Sequence, residues 1–125
     1  MAIKDTNAMI AGMNPALQPG TWHFCTLAPG DPRLEVALAV MREPEGVSAI
    51  LHSRDAPDGA MPMAHILLQV TSALDGVGLT AAVSAALAHQ QIPCNIVAGH
   101  HHDHVFVPQA MAAAALACLQ HRAQD

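Results

Sequence analysis

Residues 74–109 read LDGVGLTAAVSAALAHQQIPCNIVAGHHHDHVFVPQ. Leu79, Val83 and Leu87 recur at every fourth position among helix-forming alanines, which predicts a helix behind a glycine-rich start. IPCNIVAG and DHVFVP are short apolar runs on either side of a turn at Gly99, which predicts a β-hairpin. Just upstream, AHILLQVTS (64–72) is a continuous apolar run of the kind found in a central or doubly covered strand. Ser72 with Asp75 three residues on fits a local cap before the helix. Downstream, Pro108 opens an alanine-rich helix that carries His121 and Arg122 near its negative C-terminal end. The order strand–helix–strand–strand–helix predicts an α+β protein, with antiparallel strands and helices on one face.

The first half has the same order with weaker helical pieces. TNAMIAGMNPALQPG predicts a short helix closed by proline and glycine turns. TWHFCTL (21–27) reads as a strand. LEVALAVMRE (34–43) and VSAILHS (47–53) read as two strands around a Pro-Glu-Gly turn, and RDAPDGAMPM as a loop.

Bulk properties narrow the function. Hydrophobic residues make up 52% of 125 residues and charged residues 12%, which excludes disorder over most of the chain and leaves apolar surface for a second copy to cover. Net charge is −5 and aromatics are 2%, so neither the basic stripe nor the stacking rings of a nucleic-acid binder are present. No run approaches the roughly 18 apolar residues of a membrane span. MAIKDTNAMIAGM lacks a basic segment followed by an apolar core, so no signal peptide is expected and the cytoplasm is the expected location. Cys25, Cys94 and Cys118 are scattered, with no C-x-x-C pair, and read as small buried residues, Cys94 with a conceivable nucleophilic role.

SALDGVGLTAAVSAAL followed by IPCNIVAGHHHDHVFVP, with TWHFCTL and VMREPEGVSAIL upstream in order, resembles a bacterial family of small stand-alone tandem ACT-domain proteins related to the regulatory modules of aspartate kinases. The resemblance implies two ferredoxin-like βαββαβ units in tandem, the first abbreviated, over residues 1–63 and 64–125. It implies a non-catalytic regulatory protein, without cofactor, that binds a small effector, an amino acid, between paired modules of a homodimer. Carried over from the family, the effector contacts are Leu74, Asp75, Gly76, Val77, Gly78 and Leu79. The loop RDAPDGAMPM departs from the family in having no aromatic residue.

The residues themselves leave two readings of that loop open. Gly76-Val77-Gly78-Leu79-Thr80-Ala81 fits G-x-G-x-x-A between strand and helix, but the chain is short for a dinucleotide fold and lacks the acidic residue about 20 positions on. Glycines at a helix start bring backbone N–H groups close to a carboxylate, with Asp75 placed to hold an amino group. They equally permit a tight turn against the sheet.

His100, His101, His102 and His104 fall within five residues. On a strand beginning near His102, one face takes His102, His104 and Phe106, and the other His101, Asp103, Val105 and Val107. Two histidines on one face chelate zinc only with a third ligand, for which His100, Asp103 or the distant His23, His52 and His65 are the candidates. A hairpin with Asp103 tying the turn, near a module or subunit interface, is the simpler reading. No metal is expected; a metal-binding protein using His100, His102 and His104 is the alternative, with a protein-interaction module as a further one. No nucleophile, base and orienter form a recognisable catalytic motif.

Overall fold

The computed structural model describes residues 2–125 and divides into two packed units, one of residues 20–63 and one combining residues 2–19 with 64–125.

The larger unit begins with helix α1 (Thr6–Ala11), started by Asp5, whose carboxylate accepts from the Ala8 N–H at 2.9 Å. Strand β1 (Pro15–Leu17) follows. From Met63 onward come β5 (Met63–Leu68), α2 (Leu79–His89), β6 (Asn95–Ala98), β7 (Asp103–Pro108) and α3 (Ala112–Gln124). The strands lie in the order β1-β5-β7-β6. β1 pairs antiparallel with β5, and β6 with β7. This is a βαββαβ arrangement whose last strand, β1, comes from the N-terminal segment.

Strand alternation explains the layering. Ala64, Ile66 and Leu68 of β5 and Val105 and Val107 of β7 face the helices. There they meet Leu79, Val83 and Leu87 of α2, Ala112, Ala115 and Leu119 of α3, and Met9 and Ile10 of α1. Alanines let the helices sit close over the sheet. The alternate residues His65, His104 and Phe106 project from the face away from the helices.

The smaller unit holds β2 (Trp22–Leu27), β3 (Ala39–Glu43) and β4 (Gly46–His52), in the order β3-β4-β2, all antiparallel. A small core of Leu27, Ala49 and Leu51 is covered by Cys25, Leu34, Ala37 and Ala56. Gly46, at φ +144°, closes the β3–β4 turn where a side chain would strike Thr26.

One strand expectation is corrected. Residues 34–43 are not a single strand: Pro32–Val36 forms a 3-10 turn and β3 starts only at Ala39. Pro32 fixes φ at the first position, and Asp31 caps the turn, accepting from the Arg33 N–H at 2.9 Å and pairing with its guanidinium at 2.9 Å. Leu34 is thereby turned onto the small core. This turn stands where the larger unit has α2.

Candidate functional site

The glycine-rich loop between β5 and α2 places its residues unequally. Leu74 and Val77 stand in solvent, 78% and 75% exposed, whereas Leu79 is buried in the core. Asp75 pairs with Lys4 at 2.9 Å. Gly78 is the N-cap of α2 at φ +109°, a left-handed conformation suited to glycine. It brings no capping side chain to the start of α2, where the Ala82 N–H donates to the Gly78 carbonyl at 2.9 Å. The Ser72–Asp75 cap expected from sequence does not form: the Ser72 hydroxyl donates to Asp103 at 3.4 Å, and Asp75 turns to Lys4. The physical reason is the N-terminal segment, which runs beside residues 71–77. Ile3 donates to the Thr71 carbonyl at 2.7 Å and accepts from Ala73 at 2.8 Å.

The histidine segment is a hairpin. Ala98 pairs with Asp103, and the Gly99 N–H donates to the His102 carbonyl at 2.8 Å. The turn is therefore tied by backbone, while the Asp103 carboxylate goes to Ser72. The rings diverge. His100 and His101 are exposed and stack on each other with centroids 5.0 Å apart. His104 turns inward, its Nδ1 2.8 Å from Nε2 of His65 on β5. One ring nitrogen donates and the other accepts. His65 also stacks on Phe106, with centroids 4.8 Å apart. Burial, reinforced by His104, pushes the His65 pKa down to about 4. Burial lowers His104 as well, helped by His102 and opposed by Asp103. Both rings favour the neutral form that their hydrogen bond needs.

His100, His102 and His104 therefore do not converge, and among the described residues no three potential ligands gather in a geometry that holds a metal ion. Burial raises the pKa of Cys25, Cys94 and Cys118, the reverse of what activates a nucleophilic thiol. A groove of about 370 Å³ lies between α2 and α3, floored by Ala82, Ala85 and Ala86. Sequence reasoning missed this groove and the N-terminal segment as a neighbour of the glycine loop, and it offered His65 only as a distant third metal ligand, not as the hydrogen-bond partner of His104. The pairs His65–His104 and Lys4–Asp75 lie 39 and 71 positions apart.

Two units, one a full βαββαβ with helices on one face and one reduced to strands and a 3-10 turn, define a tandem of ferredoxin-like modules with the first abbreviated. The sequence matches the ACT domain family twice, over residues 1–67 and 64–121, and the chain belongs to that family. A crystal structure of a protein of unknown function from Vibrio cholerae, described as a possible transport protein, is 34% identical, with a TM-score of 0.78 over 90% of this chain and 92% of that one. The ligand-free regulatory subunit of aspartate kinase from Thermus thermophilus is 12% identical, with a TM-score of 0.64 over 90% of this chain and 97% of that one. The matching subunit from Thermus flavus is 13% identical, with a TM-score of 0.61 over 89% and 97%. The latter two likenesses are of fold. No curated protein matches the chain. No helix among the described residues is long and apolar enough to cross a membrane.

Proposed function

We propose that this chain is a non-catalytic regulatory protein of the cytoplasm that binds an amino acid at Leu74–Leu79 and works as a homodimer. The observation that carries the reading is the loop's chemistry. An α-amino acid presents a carboxylate, an ammonium group and a side chain within a few ångströms of one another. The loop and its neighbour offer an uncapped helix start and Lys4 for the first, Asp75 for the second, and exposed Leu74 and Val77 for the third. Membership of the ACT domain family supports it, since modules of this family regulate by binding small molecules.

A thermal-unfolding screen of the twenty protein amino acids tests the reading, repeated with a chelator. The expected result is selective stabilisation by one or a few amino acids, about 2.7 kcal/mol at a hundredfold excess over the dissociation constant, and no effect of chelator. Indifference to every amino acid sinks the proposal.

A further inference from the structure

The loop's glycines are bare for a reason that lies within the chain. A Cβ on Gly78 would fall 2.6 Å from Cγ2 of Thr6, and one on Gly76 would fall 3.1 Å from both Sδ and Cε of Met9. The space that glycine leaves open for a ligand is therefore occupied by the protein's own N-terminal segment. That segment is tied along its length. Ile3 exchanges two backbone hydrogen bonds with Thr71 and Ala73, the Thr6 hydroxyl donates to the Val77 carbonyl, and Lys4 pairs with Asp75. Thr6 and Met9 belong to α1, which is anchored in the core through Met9 and Ile10. Residues 3–9 thus form a strap over the loop, with one end packed and the other held by surface contacts.

We propose that this strap is part of the effector site and that Lys4–Asp75 is its latch. A zwitterionic α-amino acid opens it by exchanging partners: its ammonium group takes Asp75, its carboxylate takes Lys4, and the strap shifts off the loop. The proposal rests on the effector reading above. The charge count favours a zwitterion, because after the exchange both protein charges still have a counter-charge. An amine or a carboxylic acid alone leaves either Lys4 or Asp75 unpaired. The exchange is easy because both side chains are largely in water, 68% and 74% exposed, where an ion pair contributes little. Binding at the loop is thereby converted into movement of the N-terminal segment, which gives a small ligand a readable output.

The test is calorimetric titration with the twenty amino acids, their matching amines and their matching carboxylic acids, alongside amide hydrogen exchange of the whole protein. Wild type is compared with Lys4→Met and Lys4→Arg. The expected result is binding by an amino acid but by neither monofunctional analogue, weakened at least about tenfold in Lys4→Met and kept within about threefold in Lys4→Arg. Exchange at the Ile3 and Ala73 amides should rise when wild type binds its amino acid, and should already be raised in ligand-free Lys4→Met. Undiminished binding by Lys4→Met, or slower exchange at Ile3 on binding, overturns the latch and leaves the effector reading standing. Failure of every amino acid to bind wild type overturns the effector reading and the partner exchange with it.

Discussion

His65 is 5% exposed and stacked on Phe106, where a charged imidazole is costly and a neutral one bonded to His104 is not. Its pKa of about 4 in the fold lies below the ordinary 6.5 of the unfolded chain. Between those values the unfolded state holds the extra proton, so stability rises with pH there. The contribution is complete above 6.5 and is lost as pH falls toward 4. Discounted for the solvent that still reaches the pair, it is on the order of 2 kcal/mol. Urea unfolding at pH 7 and at pH 4.5 measures it, and His65→Gln should show a smaller difference between the two than wild type. Equal differences in both would remove His65 as the titrating group. The neighbouring histidines predict the opposite kind of result. His102→Gln with His104→Gln keeps an amide able to bond His65, so the double variant should stay folded at pH 7 with a loss of no more than about 1.5 kcal/mol. Unfolding of that variant on its own, by circular dichroism, would mean that the rings carry more than a hydrogen bond.

At the scale of elements, Gly78 joins two of them: it starts α2 and passes under Thr6 of α1. Gly78→Ala meets both a left-handed backbone and a 2.6 Å contact, and should cost about 2–3 kcal/mol in chemical denaturation. Thr6→Ala removes the opposing methyl group, so the same change in that background should cost roughly 1 kcal/mol less. Strict additivity would show that the backbone alone resists. The elements themselves differ in how much of them sequence reveals. α2 is legible because Leu79, Val83 and Leu87 repeat at helical spacing, and the hairpin because Gly99 separates two apolar runs. Leu34–Val36 misleads, since its alternation of apolar and charged residues, continued by the apolar residues 36–41, looks like strand while Asp31 and Pro32 decide the geometry from outside it. β1 is too short to announce itself, and only its pairing with β5, some 50 residues away, makes Pro15–Leu17 a strand.

Across the whole molecule, the local part of the candidate site was readable and the long-range part was not. Glycines at a helix start are a local pattern; Lys4 on Asp75 and His65 on His104 are joined only by folding, and no spacing encodes them. Association is a property of the same scale. In the smaller unit β3 has β4 on one side only, and it presents Met41, 66% exposed, with Val40 and Val36 nearby in sequence at 38% and 58%. An unpaired strand with apolar side chains is a surface that proteins either cover or break up with charge. Charge is confined to the Arg42–Glu43 end of β3, and the apolar residues 36–41 before it leave a stretch that we propose a second copy covers. Light scattering at micromolar concentration should therefore give twice the monomer mass, and Met41→Lys should weaken the dimer at least about tenfold while leaving the unfolding midpoint of the separated monomer unchanged. A monomeric wild type at that concentration would mean that the β3 edge stays open to solvent or to a different protein, and that any regulation by this chain acts through one copy at a time.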